Sequence, residues 1–331
     1  SNKIIENNFD RDNILVKTIE SFCSKANCKT FAISLSGGVD SMVLATIVKF
    51  LGYNVVALHI NYNNREETKQ EQNFLEKWCS YNDIPLYVRD ISNIKRDNSK
   101  RSEYEAVTKE IRFNFYKDIL EKEGLDSILL AHHRDDIVEN VFANVCRARY
   151  ILDLAVIRET STINSVTISR PMINYYKNVI YNFADIYKVP YFKDTTPKWS
   201  VRGKYRDVIA PAIEDTFTQS VKENLIELGK QSDQWNQLVN CEIIEPFLDS
   251  VEYSDKNVKF NIKKWITYPL CFWSQVFMRI FYRYGKNCPS RRSLQNFMNN
   301  LALDTCLNIA ITNNTRCRLK NNWITIEFIE L

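Results

Sequence analysis

The sequence predicts an α/β protein with a doubly wound, mainly parallel sheet, followed by a helical linker and a small α+β C-terminal domain. Short β-rich apolar runs alternate with segments of helical length in the first part of the chain, which is typical of a parallel sheet covered on both faces. Several short strand-like runs lie near the C-terminus. Because 331 residues are many for a single core, we expect more than one domain, with boundaries at 1–215, 216–250 and 251–331.

The predicted elements follow in chain order. Strands are expected at 31–35, 55–60, 85–91, 127–133 and from about 168, with helices at 41–50, 68–81, 103–123, 136–148 and 174–187. An irregular basic stretch at 193–207 precedes a long helical stretch at 211–242. The C-terminal part should hold a strand at 258–262, helices at 268–284 and 290–302, and strands near 307–311, 315–319 and 323–328. The aromatic helix at 268–284 has helical spacing and is expected to be core.

Composition limits the class of protein. Apolar residues make up 45% and charged residues 25% of the chain, as in ordinary globular proteins. Nine cysteines without a CxxC pair argue against a disulfide framework or a clustered zinc site. No apolar run is long enough to span a membrane and the first residues are too polar for a secretory signal, so we expect a cytoplasmic protein. A net charge of +4 means that nucleic-acid binding would depend on local patches.

A candidate phosphate loop follows the first strand. It consists of Ser36, Gly37, Gly38, Val39, Asp40 and Ser41. Adjacent glycines let a backbone approach phosphate oxygens, and the first amides of the following helix can bind an anion. Asp40 would repel a bare phosphate, so it indicates a bridging Mg²⁺ ion. The alternative is a plain strand-to-helix turn with Ser and Asp as helix caps, and the lysine of the GK[ST] phosphate loops is absent.

A second cluster of polar residues follows the predicted strand at 127–133. His132-His133-Arg134-Asp135-Asp136 is followed by Glu139, and all three histidines of the chain, including His59, lie at predicted strand ends. The carboxylates have spacings that place them on one side of a helix start, where they could share a metal or a substrate ammonium. The alternative is an acidic first turn that only complements the helix dipole. Because strand ends of a parallel sheet meet at one edge, both motifs are expected in one cleft.

The SGGVDS segment resembles the signature of the PP-loop ATP pyrophosphatases, also known as the adenine nucleotide alpha hydrolase-like fold. This resemblance implies ATP as cofactor, cleaved to AMP and pyrophosphate, with activation of a carbonyl or carboxyl oxygen by adenylation. It leaves the substrate open, because tRNA lysidine synthetases, tRNA thiolases, GMP synthetases and asparagine synthetases share the loop.

Further segments resemble the tRNA(Ile)-lysidine synthetase family. The segment AHHRDDIVENVF is similar to its second motif, and four more matches occur in the family's order, at 59–68, 103–116, 168–174 and 202–211. The C-terminal part is similar to that family's tRNA-facing domain. The chain departs from the family at CRARYILDLAVI, at Gly203 and at TTP (195–197), so a divergent member acting on another nucleotide or amine stays open.

The resemblance implies a reaction and a set of roles. The C2 oxygen of an anticodon cytidine attacks the α-phosphate of ATP, and lysine or another small amine then displaces AMP. The resulting site residues are as follows: Asp40, His133, Asp136 and Arg112 are catalytic, the loop Ser36–Ser41 and His59 bind ATP, Asp40 and Asp136 hold Mg²⁺, and Asp135, Asp136, Glu139, Arg170, Arg202, Lys204 and Arg206 bind substrate.

A local excess of basic residues indicates a surface for tRNA phosphates. Its members are Arg147, Arg149, Lys193, Lys198, Arg202, Lys204 and Arg206, with weaker candidates at Arg291, Arg292, Arg316 and Arg318. Trp199 and Tyr205 lie among them and are candidates for stacking on an unpaired base. The alternative is an ordinary solvated loop.

The sequence leaves three rival functions open: a tRNA thiolase, which no CxxC pair supports, a tRNA-binding protein without catalysis, and a small-molecule amidotransferase. Membrane partners are not expected, and a homodimer is left open.

Overall fold

The computed structural model describes residues 9–63, 67–91, 101–155, 157–192, 200–218, 220–301, 307–309 and 311–329. The chain divides into two compact units, Ser1–Ser232 and Asp233–Leu331. The division falls inside the stretch predicted as a helical linker.

The first unit is built on a six-stranded sheet of order β3-β2-β1-β4-β6-β5. Its strands are β1 (Thr30–Ser34), β2 (Asn54–Asn61), β3 (Leu86–Asp90), β4 (Ser127–Leu129), β5 (Thr160–Ile163) and β6 (Val166–Ser169). All neighbouring strands pair in parallel except β5, which is antiparallel to β6. The predicted doubly wound, mainly parallel sheet is therefore confirmed.

Helices follow most strands of this unit. They are α1 (Ile14–Lys25), α2 (Val39–Phe50), α3 (Glu67–Tyr81), α4 (Arg101–Glu123), α5 (Arg134–Cys146), α6 (Lys177–Tyr187), α7 (Val201–Lys204), α8 (Ala210–Phe217) and α9 (Ser220–Val239). A short 3₁₀ helix covers Ile151–Asp153 and a π-helical segment covers Tyr205–Ile209.

Apolar side chains on both faces of the central strands explain the layered fold. Phe31 and Ile33 of β1 join one buried cluster, which also contains residues of α1, α2, α3 and α6. Ala32, between them, joins a second cluster with residues of α4. Because successive residues of a strand point to opposite faces, an uninterrupted apolar strand requires helices on both sides.

Strand order locates the ligand crevice. β2 lies on one side of β1, and β4, which comes later in the chain, lies on the other. In open α/β sheets, ligands bind beyond the carboxyl ends of the strands where the order reverses. The predicted phosphate loop follows β1, and the HHRDD segment follows β4.

Several predicted elements need correction. The segment 200–209 is helical, as α7 and the π-helical turn, because Ser200 accepts a hydrogen bond from Gly203 N–H and caps the helix. The antiparallel strand β5 was not predicted, and β4 ends at Leu129. The helical stretch predicted at 211–242 is broken by Thr218, which has φ of 71°.

The second unit is α+β. Its antiparallel sheet has the order β7-β8-β11-β10-β9, formed by β7 (Glu252–Tyr253), β8 (Asn257–Asn261), β9 (Leu307–Ile309), β10 (Thr315–Lys320) and β11 (Trp323–Phe328). Its helices are α10 (Glu245–Asp249), α11 (Leu270–Arg283) and α12 (Arg291–Leu301). Trp273, Phe277 and Phe281 of α11 are buried, as predicted for the aromatic run.

Within the described part of the chain, no helix combines the length and apolarity that crossing a membrane requires.

Candidate active site

The loop between β1 and α2 has the backbone of an anion cradle. Gly37 has φ of +85°, a conformation that side chains disfavour, and Gly38 is the extended N-cap of α2. The first amides of a helix have no acceptor within the helix and point out of its N-terminus. The loop therefore presents donors at the carboxyl edge of the sheet, where a phosphate can bind.

Internal hydrogen bonds fix this loop. The two hydroxyl oxygens of Ser36 and Ser41 are 3.1 Å apart, and Ser41 Oγ lies 3.0 Å from Gly38 O. On its other side, Phe192 N–H donates to Gly37 O over 2.9 Å. The cradle is therefore held in place before any ligand binds.

His133 brings the two sequence motifs together. It is only 1% exposed, and its Nε2 lies 3.7 Å from Asp40 Oδ1 and 3.5 Å from Asp136 Oδ2. Its Nδ1 lies 3.6 Å from Asp135 Oδ2. Asp40 comes from the phosphate loop and the other carboxylates from the start of α5, so the structure assembles the site that the strand ends predict.

Asp136 is buried at the start of α5. Its Oδ2 accepts a hydrogen bond of 3.1 Å from the His133 N–H. Burial alone would raise the pKa of the Asp136 carboxyl, but interactions with His133 and His132 and the His133 N–H outweigh it, with a further contribution from Arg202. The pKa is therefore below its ordinary value and the side chain is a carboxylate at neutral pH.

Two arginines occupy the carboxylates expected to hold the amine. Arg202 Nε donates to Glu139 Oε1 over 2.6 Å and Arg206 Nε to Glu139 Oε2 over 3.1 Å. Arg206 Nη2 also lies 3.4 Å from Asp136 Oδ1. Lys204, between them in sequence, is exposed.

Asp40 has one carboxylate oxygen that could bind a cation. Asp40 Oδ1 is buried and has no hydrogen-bond partner, which leaves a lone pair for a cation. Among the described residues, no group of three or more His, Cys, Asp or Glu side chains could hold a metal ion. Mg²⁺ does not require such a group, because it is commonly held by one or two carboxylates, substrate phosphates and water.

Lys177 was not among the site residues predicted from the sequence. Its Nζ lies 3.3 Å from Asp40 Oδ2, and its backbone N–H donates to Asp135 Oδ2 over 2.8 Å. The available signal was indirect, since the phosphate loop lacks the usual lysine and Lys177 follows the quoted segment 168–174 by three residues.

Arg170 lies differently from the substrate-binding side chain that was predicted. It is 3% exposed, and its guanidinium donates to His132 Nδ1, to the Arg158 carbonyl and to Ser161 Oγ. Burial lowers the pKa of His132 to about 4, so the ring is neutral and can accept this hydrogen bond. The structure therefore gives Arg170 a role in holding β5, β6 and the HHRDD segment together.

Two further predicted residues have buried nitrogens without a partner. His59 is 4% exposed and its Nδ1 lies 2.8 Å from the Leu35 carbonyl. Burial lowers its pKa, so a neutral ring donates from Nδ1 and keeps Nε2 as an acceptor without a partner. Arg112 lies on α4 with its guanidinium carbon 5.4 Å from the Phe113 ring, and its Nε has no hydrogen-bond partner.

The described residues among those predicted to contact RNA differ in exposure. Tyr205 is buried against the ring of Phe142, with centroids 5.1 Å apart, so stacking of its ring on a base is not supported. The other basic candidates are exposed: Arg147, Arg149, Arg291, Arg292, Arg316 and Arg318. Lys193, Lys198 and Trp199, like TTP at 195–197, lie outside the described residues.

Comparison with known proteins identifies the family of the chain. A family model described as a PP-loop domain matches residues 11–211. The chain is 25% identical over 272 residues to the tRNA(Ile)-lysidine synthase of Chlamydia felis, covering 81% of this chain and 84% of that protein. It is 27% identical over 243 residues to the protein of the same name from Enterococcus faecalis, covering 71% of this chain and 51% of that protein.

Among solved structures, the U34-tRNA thiolase NcsA of Methanococcus maripaludis, with its [4Fe-4S] cluster, has a TM-score of 0.53 and 16% identity. The match covers 66% of this chain and 78% of that chain, and shows a shared fold. The family match contains both the phosphate loop and the HHRDD segment, which confirms the resemblance drawn from the motifs. The chain belongs to the PP-loop family, and it is a divergent relative of the tRNA(Ile)-lysidine synthases.

Proposed function

We propose that this protein is an ATP-dependent tRNA-modifying ligase that converts an anticodon cytidine to lysidine. The observation that carries the proposal is the convergence of Asp40 from the phosphate loop and Asp136 from the HHRDD segment on the buried His133. Similarity to tRNA(Ile)-lysidine synthases over most of the chain supports the choice of tRNA and lysine as partners.

In the first step, the C2 oxygen of cytidine attacks the α-phosphorus of ATP and pyrophosphate leaves. The amides at the start of α2 and the hydroxyls of Ser36 and Ser41 would bind the phosphates. Asp40 and Asp136 would hold Mg²⁺, which supplies charge neutralisation for the phosphate oxygens. Fixed donors in a water-poor cleft stabilise developing charge, and His133 is the buried donor at this position.

In the second step, the lysine amine attacks C2 and AMP leaves with the oxygen that was activated. Glu139 and Asp136 are proposed to bind the incoming ammonium. Their present partners, Arg202 and Arg206, would have to release at least one carboxylate oxygen, and the arginine that releases it could then contact a tRNA phosphate. We place this reaction in the cytoplasm.

The solved-structure similarity does not favour thiolation over lysidine formation, because it shows the fold alone. No feature of the described residues points to loss of catalysis either, since the phosphate loop and the carboxylates at His133 are both present. Lysidine formation is therefore the function that the site supports best.

The test is pyrophosphate release from ATP with a pool of tRNAs, with and without lysine, followed by mass spectrometry of the nucleosides. We expect RNA-dependent release and a lysine-dependent mass gain on cytidine. Asp40→Asn should lower the rate at least about 100-fold, the scale of losing one major electrostatic group, whereas Asp12→Asn on the exposed surface should not. A modified nucleoside without lysine would refute the substrate assignment but keep the adenylation chemistry.

A further inference from the structure

The phosphate loop contains no cation of its own. In GK[ST] loops a lysine at the end of the loop neutralises the nucleotide phosphates, whereas the corresponding segment here carries Asp40. A loop that binds triphosphate with backbone amides, two hydroxyls and an aspartate needs positive charge from elsewhere in the fold. One bound Mg²⁺ ion would leave part of the phosphate charge without a partner.

Lys177 is positioned to supply that charge. Its Nζ lies 3.3 Å from Asp40 Oδ2, and both side chains are about one-fifth exposed, at 22% and 23%. The pair is therefore mostly covered by the protein but still open to a ligand. Asp40 Oδ1 has no hydrogen-bond partner, so a metal can bind this oxygen while the ammonium remains beside the other.

The backbone of Lys177 is fixed by the same site. Its N–H donates to Asp135 Oδ2 over 2.8 Å, and the same carboxylate oxygen lies 3.6 Å from His133 Nδ1. Its helix, α6, packs against α2, and Ile180, Phe183 and Ala184 of α6 are buried in the core that these helices share. The side chain therefore extends from a rigid element into the region beside the phosphate loop.

Helix stability does not explain a lysine at this position. Lys177 is the first residue of α6, and the first turn has no acidic residue. A cation at the N-terminus opposes the helix dipole and costs about 0.3–1 kcal/mol. The ammonium lies 5.6 Å from the centroid of the Tyr181 ring. Tyr181 is one turn further along the helix, and its ring limits the positions that the ammonium can occupy.

We propose that Lys177 is a phosphate-binding cation of this enzyme, and that Asp40 holds its ammonium beside the cradle until ATP arrives. The inference rests on the proposed function only in requiring that ATP binds at this loop. When ATP binds, its phosphate oxygens replace Asp40 Oδ2 as the partner of the Lys177 ammonium. The lysine thus provides from α6 the charge that other phosphate loops carry within the loop itself.

The experiment measures binding of α,β-methylene-ATP by calorimetry, with Mg²⁺ and with EDTA, and needs neither RNA nor lysine. Lys177→Met should weaken binding about 10- to 100-fold in both conditions, the range of one charge-assisted hydrogen bond. Lys177→Arg should recover part of the loss, because it keeps the charge. Lys117→Met, at an exposed lysine of α4 paired with Glu121, is the matched control and should bind as the wild type does.

Asp40→Asn separates phosphate binding by Lys177 from neutralisation of Asp40. In EDTA, this variant should bind the analogue more tightly than the wild type, because it removes a carboxylate that repels phosphate and releases Lys177. Adding Lys177→Met to this variant should still weaken binding about 10- to 100-fold, because the phosphate then loses its ammonium. If Lys177 only neutralises Asp40, Lys177→Met leaves affinity unchanged in the Asp40→Asn background, which overturns the inference.

The outcome for Lys177 is separable from the outcome for the proposed function. A wild-type protein that binds the analogue through Lys177 but makes no lysidine would refute the function and keep the inference. If the wild-type protein forms lysidine normally and Lys177→Met binds the analogue as tightly as the wild type, the function is kept and the inference is refuted. A wild-type protein that does not bind the analogue would refute both.

Discussion

Replacing Arg170 separates a structural role from the substrate-binding role predicted for it. The guanidinium donates to His132 Nδ1 over 3.0 Å, to the Arg158 carbonyl over 2.6 Å and to Ser161 Oγ over 3.0 Å. The residue is 3% exposed. Arg170→Met keeps a long apolar side chain but removes all three hydrogen bonds from acceptors that are at most partly buried.

The expected loss can be estimated from these contacts. A hydrogen bond to a charged group contributes about 1.5–3 kcal/mol, and removing the cation also removes its own desolvation cost. We expect a net loss of about 3–5 kcal/mol in the free energy of unfolding. For a unit of this size the thermal midpoint should fall by roughly 6 to 20 °C.

Calorimetry and urea unfolding measure this effect directly. Arg149→Met is the matched control, because Arg149 is about half exposed and its ion pair with Asp153 should contribute at most about 1 kcal/mol. An Arg170→Met protein with an unchanged midpoint but impaired RNA-dependent pyrophosphate release would refute the structural role and support the substrate contact predicted from sequence.

Two further substitutions test other parts of the first unit. Gly229→Val should lower the free energy of unfolding in urea by about 1–3 kcal/mol, because a Cβ would lie 3.0 Å from Val141 Cγ2. Lys230→Val, at an exposed position of the same helix, is the control. An equal loss in the control would show that helix propensity is the cause instead. His132 has a pKa of about 4 when folded, below its ordinary value of about 6.5. The contribution of its neutral ring to the free energy of unfolding is therefore fully present above about pH 6.5. It is lost as the pH falls towards 4, by up to about 3 kcal/mol. His132→Asn keeps an acceptor for Arg170 and should flatten the stability profile over this range, and an unchanged slope would contradict the assignment to His132.

The corrections at 200–209 and at Tyr205 have a common origin. Basic residues and one glycine made the segment resemble a solvated loop. Instead, Ser200 caps a helix and the Tyr205 ring packs on Phe142. Residue types at the surface of a predicted loop do not reveal which of them will be covered by a neighbouring helix.

The sequence by itself determined the fold class and the two motifs of the site. Apolar strands alternating with helices allow few arrangements other than a parallel sheet covered on both faces. The pair Gly37-Gly38 after such a strand indicates a phosphate loop because backbone conformation and helix amides are local properties. The HHRDD segment could be placed at the same edge because parallel strands end there together.

Only the tertiary structure decided what the individual side chains contact. Lys177 and Asp40 lie 137 positions apart, and no local pattern reports that α6 packs beside α2. In the same way, Arg170 points inward to His132, and Glu139 is paired with Arg202 and Arg206. These contacts depend on how helices and strands pack over long sequence distances, and that packing decides which charges face the cleft and which hold it together.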